Sequence, residues 1–173
     1  DNEILEEVKK NGGQAILTAN RHKTGTDRIY EALQKINNSN IDLIMNLQGD
    51  EPLINIDDIK NLNNQMIKNE SQLGTLASRI VNKELYENEN TVKVKTKESL
   101  NNSNFPEALN FMRSNSDKIK NIYQHLGVYC YRLETLKKLI SYKQVMIEEY
   151  IGGREIQVAI MGHKKLGAIE LKP

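Results

Sequence analysis

The chain has 173 residues, and 24 Lys and Arg against 23 Asp and Glu leave a formal charge of +1. That balance lacks the basic footprint of a nucleic-acid or membrane-surface binder. With a mean hydropathy of −0.60 and no apolar run near the roughly 18 residues a spanning helix needs, a membrane-spanning helix is excluded as well.

In chain order, Ile4, Leu5 and Val8 have helical spacing, and Gly12-Gly13 can close that helix. Ala15-Ile16-Leu17 reads as a short buried strand. After a polar loop, Thr26 and Asp27 are expected to cap a helix with Ile29, Leu33 and Ile36 on one face. Leu43 to Leu47 is the next strand. Asp57 and Asp58 favour a helix start through the dipole, with Ile59, Leu62 and Met66 aligned. Leu76 to Val81, Thr91 to Val94, Ala108 to Met112 and Leu126 to Tyr131 are further strands, and Leu133 to Ile140 a short helix. The polar stretch from Lys97 to Asn104 is a hairpin or surface loop. The alternation argues for an α/β fold with a mostly parallel sheet covered by helices. Cys130, the single cysteine, can form no internal disulfide and reads as a small core residue, which fits a reducing cytoplasm. The acidic opening Asp1-Asn2-Glu3 carries no secretory signal, and the lack of an initiating Met makes us expect a fragment cut at both ends.

Three polar clusters carry the chemistry. In Arg21-His22-Lys23-Thr24-Gly25-Thr26-Asp27-Arg28, a glycine between two threonines at a helix start exposes N–H groups and hydroxyls suited to a phosphate or a polar base edge. An ordinary helix cap with basic neighbours accounts for the same residues. In Gln48-Gly49-Asp50-Glu51-Pro52, an acidic turn ends a buried strand, where open α/β sheets bind their ligands. In Tyr123-Gln124-His125-Leu126-Gly127-Val128-Tyr129, a Gln and a His enter a strand. No catalytic triad, Cys-His pair or zinc spacing can be assembled from His22, His125, His163 and Cys130. Metal-assisted chemistry on a nucleotide is the economical enzymatic reading.

His22 to Arg28, Asn46 to Pro52 and His125 to Tyr129, in that order and spacing, resemble the 3-deoxy-manno-octulosonate (Kdo) cytidylyltransferase family; so do Val92-Lys93-Val94 and Phe111-Met112-Arg113-Ser114. The resemblance covers residues 1–143. It implies a Rossmann-like nucleotide-diphospho-sugar transferase fold, incomplete here, and a homodimer that joins CTP and Kdo with Mg²⁺ for lipopolysaccharide synthesis. It gives Asp50 the metal and Gln48 a contact beside it. Thr24, Gly25, Thr26 and Arg28 would line the nucleotide pocket, and Arg113, His125 and Tyr129 the sugar. A sugar acid's carboxylate calls for Arg or a polarised His, and Arg offers a bidentate fork. Phosphoryl transfer needs positioning and charge neutralisation, not a protein nucleophile.

Two departures stand out. Nothing here matches the family's opening strand and Pro-Ala-Arg-type triphosphate loop, and its late carboxylate in a Val-Asp-Thr context is missing, which implies impaired CTP binding and turnover. Residues 144–173 instead resemble an ATP-grasp segment of the D-alanine–D-alanine ligase family, with Glu148, Tyr150 and Ile151 facing adenine and Glu155 the ribose. Alternation in Glu155 to Ile160 and Leu166 to Leu171 suggests a β-hairpin-like tail. The expected layout is therefore a partial cytidylyltransferase domain joined near Lys143 to a ligase-like piece. The alternatives are a ligase fragment or a non-catalytic nucleotide-binding remnant.

Overall fold

The computed structural model describes residues 2–36, 40–49, 53–113, 120–141 and 167–171. They divide into two compact units, one of residues 1–42 and 133–148 and one of residues 43–132 and 149–173.

The larger unit is organised around one long strand. β1 (Leu43–Asn46), β2 (Leu73–Ser78), β3 (Lys93–Thr96), β4 (Ala108–Met112), β5 (Ile122–Arg132) and β6 (Gly167–Leu171) form one sheet of order β4-β3-β5-β2-β6, with β1 also paired to β5. Every described ladder is antiparallel, so the expectation of a mostly parallel sheet is corrected. The physical reason is the place of β5. β1 and β2 are joined through helix α3 (Ile56–Lys68) and run parallel to each other, but β5 lies between them and is antiparallel to both. The crossover is read correctly from the sequence, and the inserted strand is what its periodicity does not disclose.

The core of this unit alternates along β5. Leu126, Val128 and Cys130 face Leu62 and Met66 of α3 and Leu76 of β2, all buried. Tyr123 packs with Ala77 and Val94 in a second cluster. Asn55 caps α3 by accepting from the Asp57 N–H at 2.9 Å, and the expected stripe is seen in buried Leu62 and Met66. The polar stretch after β3 connects it to β4 as an antiparallel hairpin, as expected. A short helix, α4 (Lys83–Glu87), capped by Asn82, was not expected; five residues give too little periodicity to detect. In the tail, the expected strand from Leu166 to Leu171 is seen as Gly167–Leu171, paired with β2, while its expected hairpin partner Glu155 to Ile160 lies outside the described residues.

The smaller unit is helical. α1 (Asn2–Lys10) ends as expected, with Gly13 N–H donating to Val8 O at 2.9 Å and Gly12 in the left-handed region at φ +78°. α2 (Gly25–Ile36) and α5 (Leu133–Ser141) complete it, and neither α1 nor α2 buries a residue. Ala15-Ile16-Leu17, expected as a strand, forms neither strand nor helix. Its backbone is claimed by side chains instead, because Lys35 Nζ donates to Leu17 O at 2.7 Å.

Candidate functional site

In the larger unit the sheet has a gap at the middle of β5. On one edge, β1 pairs only as far as Asn46 opposite Tyr129, and β3 begins at Lys93 opposite Gln124. On the other edge the register slips between Thr75, opposite Tyr129, and Leu76, opposite Leu126. Gly127 and Val128 therefore bulge out of the ladder, a feature common beside functional sites.

Side chains fill the gap. Buried Thr75 places its hydroxyl 2.6 Å from Val128 O, 3.2 Å from Leu126 O and 3.0 Å from His125 Nε2. Gln48, two residues past β1, lies against Gly127 so closely that a Cβ there would sit 2.5 Å from Gln48 Oε1. The glycine is required for this approach. The structure thus brings Gln48 to the His125–Tyr129 segment.

His125 is held in an aromatic row. Phe111 meets it edge-on with ring centroids 5.0 Å apart, Tyr129 lies at 5.4 Å, and Tyr131 stacks on Tyr129 at 6.0 Å. Burial pushes the His125 pKa down from 6.5 to about 4. The ring is therefore neutral at neutral pH, which suits hydrogen bonding and leaves full positive charge to an Arg.

Arg113 follows β4 by one residue and is exposed, with Nη1 donating to Asn90 O at 3.3 Å. Its backbone is anchored by Lys93, which is fully buried and donates from Nζ to Arg113 O at 2.6 Å and to Asn88 O at 2.7 Å. Asp50, the expected metal ligand, lies outside the described residues. Among the described residues no group of three or more His, Cys, Asp and Glu is arranged to hold a metal ion. Magnesium is commonly held by one or two carboxylates plus substrate phosphates, so the donor chemistry of Gln48-Gly49-Asp50 suits a shared ion but not a closed protein cage.

In the smaller unit the 22–28 loop is built by capping. Thr24, not the expected Thr26 or Asp27, caps α2: its hydroxyl accepts from Asp27 N–H at 3.2 Å and donates to Asp27 Oδ2 at 3.0 Å. Arg28 is turned inward, donating to Thr18 Oγ1 at 2.7 Å and Ala19 O at 3.4 Å. Glu31 ties the preceding segment down by accepting from Lys35, His22 and Ala19 N–H. These bonds hold its carboxyl at a pKa of about 2, Lys35 contributing most and His22 next. Thr24 and Arg28 therefore brace the loop.

Thr75, Lys93, Phe111 and Glu31 were not singled out as site residues in the sequence. Local pattern gave little signal for them: Lys93 shares its strand with Lys95 and Thr96, and only the fold shows that Lys93 and Thr75 are buried.

A profile described as cytidylyltransferase matches residues 1–164. A 3-deoxy-manno-octulosonate cytidylyltransferase of Francisella philomiragia is 34% identical over 171 residues, covering 95% of this chain and 68% of that protein. One of Thermodesulfovibrio yellowstonii is 34% identical over 181 residues, covering 98% of this chain and 71% of that protein. A solved structure, CMP:2-keto-3-deoxy-manno-octonic acid synthetase complexed with CTP, matches with a TM-score of 0.69 at 32% identity. It covers 84% of this chain, which spans only 59% of that one. The profile runs past the expected junction at residue 143 to residue 164, so the ligase resemblance of residues 144–173 finds no support. Its contacts Glu148, Tyr150, Ile151 and Glu155 lie outside the described residues. That resemblance rested on one short run, Glu148-Glu149-Tyr150-Ile151, too few residues to distinguish families.

Proposed function

The chain belongs to the cytidylyltransferase family, and we propose that it serves the transfer of CMP from CTP to Kdo, releasing pyrophosphate. In that reaction the anomeric hydroxyl oxygen of the sugar bonds to the α-phosphorus as the bond to the β-phosphate's bridging oxygen breaks. The observation that carries the reading is Gln48 packed on Gly127, one β-strand position from Val128 and two from His125, at the gap in the sheet.

Roles follow from chemistry. Asp50 supplies a carboxylate to a divalent cation, proposed as Mg²⁺, which when bound neutralises phosphate charge. Gln48 offers a carboxamide beside it. Arg113, exposed and cationic, suits the sugar carboxylate, while neutral His125 suits a sugar hydroxyl and Tyr129 walls the ring. The Gly25–Thr26 turn carries the Asp27 carboxylate in the same helix start, which repels phosphate. The turn therefore suits a base edge or ribose hydroxyls. The reading includes a homodimer acting in the cytoplasm; among the described residues no helix is long and apolar enough to cross a membrane.

The test is pyrophosphate release from CTP, Kdo and Mg²⁺, with thermal shift alongside. Product formation, a Tm raised by CTP with Mg²⁺, and loss of both in Asp50→Asn are expected. A chain that gives neither product nor a CTP-dependent shift does not have this function.

A further inference from the structure

The contact between Thr75 and His125 has a proton count that fixes more than packing. Thr75 has one hydroxyl hydrogen and three neighbours: Val128 O at 2.6 Å, Leu126 O at 3.2 Å and His125 Nε2 at 3.0 Å. Two oxygens 2.6 Å apart repel unless a proton lies between them, so the hydrogen belongs to the bond with Val128 O. The hydroxyl can then only accept from His125, and Nε2 must carry hydrogen. A neutral imidazole has one N–H, so Nδ1 is left with a bare lone pair. Burial holds the ring neutral, with a pKa of about 4. Phe111 and Tyr129 fix its plane, and no described residue is bonded to Nδ1.

We propose that Thr75 is a positioning residue of the sugar site: by committing its hydrogen to the Val128 carbonyl, it makes His125 donate from Nε2 inward and present Nδ1 as an acceptor for a substrate hydroxyl. This rests on the cytidylyltransferase reading for the identity of the substrate, but not for the tautomer. Thr75 touches no reacting atom in it. Its effect passes through His125, and the β5 bulge is what brings the two carbonyls and the ring nitrogen around one hydroxyl. The bulge that disrupts the ladder thus orients a ligand-facing ring.

Ring ¹⁵N NMR of the full chain at neutral pH reads the tautomer directly. The expected spectrum has His125 Nε2 protonated and Nδ1 bare, as one species. Thr75→Val keeps the shape and removes the hydroxyl; it should bring the Nδ1–H form to a measurable population. It should also raise the KM for the sugar acid by about tenfold, the size of one lost hydrogen bond, with the KM for CTP unmoved. Thr75→Ser should restore both. Because valine alone could loosen the bulge, Thr75→Val is repeated on His125→Ala, where no further rise in sugar KM is expected. Independent losses in that pair, or a wild-type ring protonated on Nδ1, overturn the proposal. A fixed tautomer that Thr75→Val disturbs, in a chain that makes no CMP-sugar, overturns the functional reading and leaves the positioning intact. CMP-Kdo formation with tautomer and KM unchanged in Thr75→Val does the reverse.

Discussion

The two units hold their polar loops in place by different means. In the unit of residues 43–132 and 149–173, the Gln48 and His125 segments hang on a sheet whose far face is filled by Leu62, Met66, Leu76, Leu126, Val128 and Cys130. In the unit of residues 1–42 and 133–148, α1 and α2 bury no residue, and the 18–28 segment is held by Glu31, Thr24 and Arg28 through hydrogen bonds and ion pairs. An apolar core fixes geometry through many contacts that salt leaves alone, whereas a carboxylate hub fixes it through a few that salt can weaken. The difference teaches that one unit should fail by cavity formation and the other by charge removal.

The largest effect should come from the sheet core. Leu62→Ala removes a fully buried side chain of α3 and should destabilise by about 2–5 kcal/mol, read as a lower urea midpoint with unchanged slope. The same cut at Leu33, half-buried in α2, should cost clearly less. Equal costs would erase the contrast between the units.

Acid should separate them next. His125 folds with its pKa lowered from 6.5 to about 4, so between those values the unfolded chain binds more protons and stability falls as the pH falls. The shift corresponds to about 3 kcal/mol at full development, and His125→Gln should flatten that part of the stability–pH curve. Glu31, lowered from 4.5 to about 2, contributes stability that is present above 4.5 and lost as the pH drops towards 2. Fluorescence or exchange probes in the sheet should therefore respond at higher pH than probes in the 18–28 segment. Simultaneous loss of both would break the comparison.

How much of this was legible depends on what set each feature. The extent of β4, from Ala108 to Met112, the α3 stripe of Leu62 and Met66, and the Gly12-Gly13 helix end are written in local pattern, and the structure has them. The antiparallel sheet was not legible, because it depends on β5 returning from sequence positions 122–132 to lie between β1 and β2. The same non-local event creates the bulge, so Thr75 could not be linked to His125 across 50 positions. The 15–17 strand failed for the opposite reason: Ala-Ile-Leu has strand character locally, but Lys35 of α2 takes the Leu17 carbonyl and no ladder forms there. Gln48, His125, Tyr129 and Arg113 were proposed from motif spacing, which periodicity alone would not have supplied.

Gly127→Ala sharpens the contrast at smaller cost. The new methyl would meet Gln48 Oε1 at 2.5 Å and its Cδ at 2.8 Å. A flexible side-chain end can retreat, so stability should drop by only about 1 kcal/mol. Displacing the carboxamide should still cut turnover with CTP and Kdo by tenfold or more, because positioning errors near 1 Å cost far more in rate than in stability. Gly127→Ala restored by Gln48→Ala in stability, but not in turnover, would assign the loss to the carboxamide.

The smallest global effect should come from Glu31→Gln. The amide keeps the shape and can still accept from Ala19 N–H, but it gives up the charge shared with Lys35 and His22. Because the unit has little apolar burial around α2 to let go, the urea midpoint should barely move. The loss should instead be local, as faster amide exchange and easier proteolysis between residues 18 and 24, with sheet amides unchanged. High salt should reproduce the effect in the wild type and add little to the variant, since the same ion pairs are already gone. Protection of the 18–24 amides that survives both treatments would mean that packing, not the carboxylate, holds the segment, and the two units would then be built alike.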